Sequence, residues 1–308
     1  MFDVIIVGGS YAGLAAAIQL GRARRSVLIV DAEQRRNRTA HAAHGFLGQD
    51  EQPPLAIADK GRAEALAYPT VSYRLATVRA LKALPSGFQV QIGSESLLAK
   101  RLILATGVVD VLPPIPGMAE RWGKSLFHCP YCHGYELNQG RVGIVATGPL
   151  STHQACLVSE WGARGQSMFF SNGAFEPDAE QLVELRAREI SLEREPIVAI
   201  EGSAPASVVR LRSGRVEHFA GLFVMPTTKL ADPFAEQLGC ELETGPVGQF
   251  YKTDAMKQTS VPGVFAAGDA GLAMGALSFA VADGVRAGVA AHQSLVFPAA
   301  AEGAQPKS

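Results

Sequence analysis

A glycine-rich turn near the start of the chain stands directly between a short apolar run and a stretch of helix-forming residues. The run Asp3–Val7 is rich in β-branched residues, Gly8–Gly13 follows at once, and Leu14–Leu20 is rich in alanine and leucine. A second apolar run, Ser26–Val30, ends at Asp31. The order of strand, glycine turn, helix, strand and acid is typical of a dinucleotide-binding unit. The sequence therefore predicts a Rossmann-like fold at this end of the chain.

Each residue of the turn has a physical role in this prediction. Gly8 permits the tight turn, and Gly13 permits close packing of helix against strand. The start of the helix would face a pyrophosphate, and Asp31 would accept hydrogen bonds from a ribose diol. Ser10 stands where the motif has its middle glycine. Because serine is small, we expect a weakened site and not a lost one.

Composition limits the classes of function open to the chain. Its 308 residues allow two domains, and 47% hydrophobic with 19% charged residues indicates a globular protein. The formal net charge of −1 does not favour nucleic acid or an anionic membrane as a partner. No secretory signal and no apolar run of about 18 residues is evident, so a cytoplasmic protein is expected.

Two cysteines lie three positions apart, and a histidine follows the second. The stretch Cys129-Pro130-Tyr131-Cys132-His133 could be a redox dithiol, half of a zinc site or a haem-attachment motif. Haem attachment needs an export route, and zinc needs a second ligand pair at suitable spacing. The chain has only four cysteines, of which Cys156 and Cys240 stand alone. A redox dithiol is the interpretation that remains, and no metal site is expected.

Two further segments indicate which family the chain resembles. Leu102–Gly107 is a strand-like run that ends in Ala-Thr-Gly, and Thr259–Asp269 ends in Gly-Asp before the helix-like segment 276–291. Together with the first glycine turn, these pieces resemble the flavoprotein disulfide reductases that bind two dinucleotides. The dithiol lies between the Ala-Thr-Gly strand and a second β-α-β unit that starts at Arg141. This order is similar to that of low-molecular-weight thioredoxin reductases, and CPYCHGYE resembles the branch that includes dithiol oxidases.

The resemblance implies an α/β fold with two Rossmann-like domains, the second inserted into the FAD domain. Residues 1–113 and 227–308 would form the FAD domain, and residues 114–226 would form the inserted NAD(P)-type domain with the dithiol. The tail from Pro298 is small and polar and is expected to be disordered. The family also implies a homodimer.

The same resemblance implies FAD as cofactor and assigns residues to it. Gly268 and Asp269 would reach the ribityl chain and the flavin phosphate, and Arg36 with Asn37 would lie near the diphosphate or adenosine. His41 and His44 have a spacing that would allow both to ligate one metal ion. No carboxylate or cysteine joins them locally, so they are interpreted as residues that line the flavin site. The expected FAD-binding residues are Gly8, Gly9, Ser10, Ala12, Gly13, Asp31, Ala32, Arg36, Asn37, His44, Val78, Ala105, Thr106, Gly107, Gly268, Asp269, Leu277 and Ser278.

The second nucleotide unit departs from the family pattern. Val142–Val145 is a good strand, but the loop that follows reads Ala146-Thr-Gly-Pro-Leu-Ser151 where the family has Gly-x-Gly-x-x-Ala. Pro149 removes one N–H from the phosphate-binding turn. The segment 165–173 contains no arginine to hold the 2′-phosphate of NADPH. Efficient binding of NADPH is therefore not expected.

Four residues are expected to carry the chemistry. In the resembling family the second cysteine faces the flavin and the first exchanges with the substrate, which assigns these roles to Cys132 and Cys129. His133 could take a proton from a substrate thiol and return it. Glu136, three residues later, could orient His133.

The leading expectation is an FAD-dependent thiol–disulfide oxidoreductase with a thioredoxin-like protein or a small dithiol or disulfide as partner. Ferredoxin could replace NADPH as electron donor. One alternative is a dithiol oxidase that passes electrons from substrate thiols through FAD to oxygen. The other is a flavin-bearing redox sensor that does not turn over.

Overall fold

β-Branched and aromatic segments form most strands in the computed structural model, which describes residues 1–204 and 206–298. In chain order the strands are β1 (Phe2–Val7), β2 (Val27–Asp31), β3 (Val71–Leu75), β4 (Val78–Leu84), β5 (Gly87–Ile92), β6 (Glu95–Leu104), β7 (Val108–Val111), β8 (Leu126–Phe127), β9 (Val142–Val145), β10 (Ser167–Phe170), β11 (Ser191–Glu193), β12 (Ile197–Glu201), β13 (Ser207–Leu211), β14 (Val216–Phe219), β15 (Gly221–Val224), β16 (Thr227–Leu230), β17 (Leu242–Thr244), β18 (Gln249–Tyr251) and β19 (Val264–Ala266). The helices are α1 (Tyr11–Arg22), α2 (Pro54–Leu66), α3 (Met118–Arg121), α4 (Pro130–His133), α5 (Leu150–Val158), α6 (Ala179–Ala187), α7 (Phe234–Leu238) and α8 (Leu277–Val296), with short 3-10 helices at Tyr135–Leu137 and Gly268–Gly271.

The first of two structural units contains a seven-stranded sheet. The strand order is β3-β2-β1-β6-β5-β4, and β19 pairs with β6. The pairs formed by β1, β2, β3, β6 and β19 are parallel, whereas β4, β5 and β6 are joined in antiparallel fashion. Val4, Ile5 and Ile6 are fully buried, as expected for a strand covered on both faces. The predicted strand–turn–helix–strand unit at the N-terminus is confirmed.

Helices α1 and α8 of the first unit pack with their backbones in close approach. A Cβ on Gly284 would collide with the carbonyl oxygen of Ala12, and one on Gly288 would come within 2.8 Å of the Ala16 carbonyl oxygen. Larger side chains at these two positions would push the helices apart. The glycines and alanines of this interface therefore allow α1 and α8 to pack closely against each other within the first unit.

The second unit contains a five-stranded parallel sheet, with a three-stranded antiparallel sheet beside it. Their orders are β11-β10-β9-β15-β8 and β12-β13-β14. Helix α6 begins with a capping box, in which the Asp178 side chain accepts from the Gln181 N–H and the Gln181 side chain accepts from the Asp178 N–H. The mixed sheet of the first unit and the parallel sheet of the second, each accompanied by helices, confirm the predicted α/β class.

The boundaries of the units differ from the predicted ones in one important respect. The first unit comprises Met1–Arg38, Leu55–Val109 and the chain from Thr228 onward, and the second comprises Thr39–Pro54 and Asp110–Thr227. The ends of the inserted domain thus lie within a few residues of the predicted 114 and 226. Residues 39–54, expected in the FAD domain, group with the second unit instead.

Side-chain contacts explain why residues 39–54 group with the second unit. Thr39 packs so closely on Gly123 that a Cβ there would collide with its hydroxyl. His44 contacts the ring of His133 and the carboxylate of Glu136. These contacts join positions more than 80 residues apart, so no local pattern in the sequence could have shown them.

Two sequence-based expectations concern the ends of the chain and the membrane. The tail that was expected to be disordered lies, from residue 299, outside the described residues. Across 1–204 and 206–298, no helix combines the length and the apolar character that crossing a bilayer requires.

Candidate active site

The first glycine turn forms a close-packed cradle between the ends of β1 and β6. Gly8 has φ +104°, and a Cβ there would collide with the carbonyl oxygen of Ala105. A Cβ on Gly13 would collide with the carbonyl oxygen of Gly8. Both glycines are therefore required by the geometry that the sequence predicted, a tight turn and a helix packed hard against it.

Asp31 ends β2 beside this turn and is already held by a tyrosine. Its Oδ2 accepts a hydrogen bond of 2.9 Å from the hydroxyl of Tyr73 on β3. Burial, together with the Asp31 carboxylate, raises the pKa of Tyr73 to about 12. The tyrosine therefore stays protonated and orients the carboxylate that was predicted to bind a ribose. Tyr73 was missed because it lies 42 residues from Asp31 and belongs to no motif.

Arg36 and Asp269, which come from distant segments and were both predicted to bind FAD, form an ion pair in the first unit. The Nη1 of Arg36 lies 2.9 Å from the Oδ2 of Asp269, and both side chains are about a quarter exposed. Asp269 follows Gly268, which has φ +71°. A Cβ on Gly275 would collide with the Asp269 carboxylate, so the chain closes tightly around this acid.

The first unit contains buried polar atoms that fit a bound FAD. The Oδ1 of Asn37 and the Oγ1 of Thr106 are buried and lack a hydrogen-bond partner within the described part of the chain. The Nδ2 of Asn37 donates to the hydroxyl of Tyr11 at 3.0 Å, which fixes the amide. Unpaired buried polar atoms beside a glycine turn, a helix N-terminus and an arginine suit a polar, anionic cofactor.

The remaining predicted FAD-binding residues are placed as follows. Ala32 follows β2, Val78 begins β4 and is buried, and Leu277 with Ser278 begins α8. Gly107 has φ +71° just beyond β6. All the predicted cofactor residues belong to the first unit except His44, and their contact with FAD stays a prediction.

Cys129 and Cys132 form a disulfide at the short helix α4 in the second unit. Their Cα atoms are 5.3 Å apart. Cys129 is the N-cap and Pro130 takes the first helical position, where its missing N–H costs nothing. Gly134 ends the turn by donating to the Pro130 carbonyl at 2.6 Å. The C-x-x-C spacing thus places both sulfurs at the start of one helical turn, in agreement with a redox dithiol.

Aromatic side chains support the dithiol helix from two sides. His133 stacks on Phe127, with ring centroids 4.4 Å apart and planes 25° apart. Tyr131 packs edge-on against Trp161 at 5.0 Å, and a Cβ on Gly134 would lie only 2.5 Å from the Trp161 ring. The glycine of the CPYCHGYE stretch is therefore needed because an indole covers it. Trp161 was not recognised from the sequence.

The imidazole of His133 is uncharged at neutral pH. Burial lowers the pKa of His133 to about 4, with the charge of His44 acting in the same direction and Glu136 acting against both. A neutral imidazole can accept a proton from a thiol, as the sequence-based hypothesis requires. It is not an imidazolium that could stabilise a resting thiolate.

Glu136 contacts a second histidine near the dithiol. Its Oε1 lies 3.5 Å from the Nε2 of His44, whose Nδ1 lies 3.8 Å from the Oδ1 of Asp50. The charge of Glu136 also acts on His133 and opposes the lowering of its pKa. That Glu136 orients His133 stays a prediction.

In the second nucleotide unit, backbone N–H groups of the loop after β9 are hydrogen-bonded to a side chain of the same loop, that of Ser151. The Oγ of Ser151, which is fully buried, accepts from the backbone N–H of Thr147 at 2.9 Å and of Gly148 at 3.3 Å. The Thr147 hydroxyl donates to the Met225 carbonyl at 2.7 Å. A serine hydroxyl thus occupies the N–H groups with which such a turn would bind phosphate. The sequence showed that this loop was unusual but not this hydrogen bonding.

Comparisons with known proteins agree on one family. The family model for pyridine nucleotide-disulphide oxidoreductases matches residues 2–291. The chain is 31% identical to thioredoxin reductase sirT of Leptosphaeria maculans (94% of this chain, 92% of the relative) and 33% identical to thioredoxin reductase tcpT of Claviceps purpurea (96% and 94%). Its structure is similar to that of an oxidoreductase from Agrobacterium tumefaciens, at 48% identity with a TM-score of 0.92 over 96% of this chain and 99% of the other.

Proposed function

This chain belongs to the pyridine nucleotide-disulphide oxidoreductase family, and we propose that it exchanges electrons between FAD and a dithiol or disulfide substrate through Cys129 and Cys132, without NADPH as an efficient donor. The predicted resemblance to thioredoxin reductases is confirmed, as are the class of enzyme and the cofactor FAD. The direction of electron flow and the donor are our proposal.

The observation that carries the donor part of this proposal is the hydrogen bonding of Ser151. Two backbone N–H groups of the phosphate turn already donate to its hydroxyl. Pro149 contributes no N–H, and residues 165–173 contribute no arginine. A nucleotide phosphate would have to displace a buried hydroxyl and would find no guanidinium partner.

The chemistry at the dithiol follows from ordinary thiol–disulfide exchange. A substrate thiolate attacks the Sγ of Cys129, the bond to Cys132 breaks, and Cys132 leaves as a thiolate. The second substrate thiolate then attacks the substrate sulfur, which releases Cys129 as a thiolate and the substrate as a disulfide. Neutral His133 accepts a proton from an incoming thiol in this sequence. Bound FAD would supply the two-electron acceptor for the thiolates of the reduced dithiol.

We favour oxygen as the acceptor of electrons from the reduced flavin. A site that binds NADPH weakly gives this nucleotide no role in the reaction. The chain would then be a dithiol oxidase, with a small dithiol or a thioredoxin-like protein as substrate. The reverse direction, with reduced ferredoxin as donor, is the second candidate. A sensor that does not turn over would consume no oxygen with any thiol.

Anaerobic mixing of the FAD-loaded protein with single donors tests the proposal. We expect dithiothreitol to bleach the visible flavin absorbance readily, and NADPH and NADH to do so slowly or not at all. Reduced ferredoxin is the fourth donor, and rapid bleaching by ferredoxin alone would favour a ferredoxin-dependent reductase over the oxidase. Admission of air should restore the absorbance and permit further turnover with dithiothreitol.

Asp269→Ala should lower the affinity for FAD by about 10- to 100-fold, because a charged hydrogen bond contributes about 1.5–3 kcal/mol. The variant leaves Arg36 without the carboxylate that lies 2.9 Å from it. Occupancy is measured from the ratio of flavin to protein absorbance, and the dissociation constant from fluorescence titration. Ser10→Gly, which restores the motif, should keep FAD bound.

Glu241→Ala is the matched control for this substitution. Glu241 is exposed and pairs with Lys252 at 2.7 Å, so the control removes an ion pair of the same unit that includes none of the predicted cofactor residues. Wild-type occupancy is expected in the control. Wild-type occupancy in Asp269→Ala as well would refute the assignment of this acid to the cofactor.

A further inference from the structure

The segment 39–54 brings a second histidine to the dithiol helix. His44 stands edge-on to His133, with ring centroids 6.4 Å apart and planes at 85°. The Nε2 of the same ring lies 3.5 Å from the Glu136 carboxylate, and its Nδ1 lies 3.8 Å from that of Asp50. The His44 side chain is 16% exposed, whereas the two carboxylates are 43% and 64% exposed. One partly buried ring therefore contacts both His133 and two acids.

The charges around His133 come from few elements. Phe127 on β8 presents an apolar ring to one face of the imidazole. His44 from the segment 39–54 and Glu136 from the 3-10 helix are the charged groups that act on it, and they act in opposite directions. Asp50 faces His44, with its Oδ1 3.8 Å from the Nδ1 of that ring.

We propose that His44 is a positioning residue of the dithiol site: its ring holds the Glu136 carboxylate and stands edge-on to His133, and the two side chains together set the pH range in which His133 accepts a proton. The inference rests on the proposed function in one respect, the use of His133 as the base for substrate thiols. Its role is to adjust, together with Glu136, the pH at which the buried imidazole of His133 gains a proton.

The proposal makes the protonation of His133 depend on two neighbours with opposite signs. Removal of a positive charge about 6.4 Å away should raise the pKa of His133 by about 0.5–2, for an effective dielectric constant between that of water and about 20. Removal of the negative charge of Glu136 should not raise this pKa. Since burial alone still lowers it, His133 would remain mostly neutral at pH 7 in both variants.

An NMR titration of the oxidised protein, labelled with ¹⁵N at its seven histidines, measures this effect without turnover. We expect the titration of His133 to move to higher pH in His44→Gln and to stay or fall in Glu136→Gln. The matched control is His153→Gln, at an exposed position on α5 of the same unit, which should leave the His133 titration unchanged. If His44→Gln fails to fold, His44→Asn gives the same test with a shorter amide.

The pH dependence of flavin reduction by dithiothreitol gives the functional readout. In His44→Gln its acidic limb should move to higher pH by the same amount as the NMR titration. An unchanged His133 titration, or shifts of the same sign in both variants, would overturn the proposal. Rapid reduction by NADPH would instead refute the donor part of the proposed function and leave this result standing.

Discussion

Cys132→Ser should lower the rate of thiol-dependent flavin reduction by roughly 10³-fold or more, with FAD still bound, because an alcohol cannot replace the thiolate in exchange. The disulfide that it removes is the one cysteine pair bonded among the described residues. Cys129→Ser should also stop turnover but should leave Cys132 as a free thiolate. A charge-transfer absorbance with oxidised flavin is expected in this variant alone. Stopped-flow absorbance measures both effects.

Cys156→Ser is the matched control for the two cysteine variants. Cys156 lies on α5 in the same unit, half-buried, with its Sγ near the Glu184 carboxylate. Its loss should leave turnover and the flavin spectrum unchanged. A charge-transfer band in Cys132→Ser and none in Cys129→Ser would reverse the two roles. Turnover in both single variants would exclude the dithiol from the reaction.

The fold was predictable because its signals are local. The segment Val142–Val145 is a strand over the residues that its β-branched pattern predicted, and the first glycine turn lies between β1 and α1 as expected. Backbone geometry explains this success, since Gly8 and Gly13 cannot carry a Cβ where they stand. Motifs of this kind constrain a few successive residues and need no tertiary contact to be recognised.

The site was predictable only in its motif residues. Glu136 pairs with His44, Tyr73 with Asp31, and Trp161 covers Gly134, although the partners are separated by 27 to 92 positions in the chain. Such pairs depend on how the chain folds back on itself, which periodicity and spacing do not encode. Tyr73 and Trp161, which support the motif residues, were therefore missed, and the roles of the motif residues stay predictions.

NADPH should bind to the protein about 10²–10⁴-fold more weakly than to a site with both phosphate contacts intact, because each charge-assisted contact contributes about 1.5–3 kcal/mol. Millimolar NADPH should therefore reduce the flavin slowly or not at all under anaerobic conditions. NADH should reduce the flavin no faster. The turn whose N–H groups are bonded to Ser151 would weaken the binding of both nucleotides, whether or not they carry a 2′-phosphate. Rapid stoichiometric reduction by micromolar NADPH would refute the prediction and leave the FAD and dithiol assignments intact.

Restoring the turn should restore part of the nucleotide affinity. Ser151→Ala removes the hydroxyl that now accepts from the Thr147 and Gly148 N–H groups. Both residues are partly exposed, so water can satisfy these groups when no nucleotide is present. Combined with Ala146→Gly and Pro149→Ala, which return the turn glycine and one N–H, the change should raise the rate of NADPH-driven reduction by about tenfold or more.

Ser159→Ala, at the other end of α5, removes a hydroxyl that donates to the Cys156 carbonyl at 2.8 Å and should change nothing. If the triple variant gains no more than this control, the hydrogen bonding of Ser151 is not what keeps NADPH out, and the missing arginine of residues 165–173 becomes the remaining explanation.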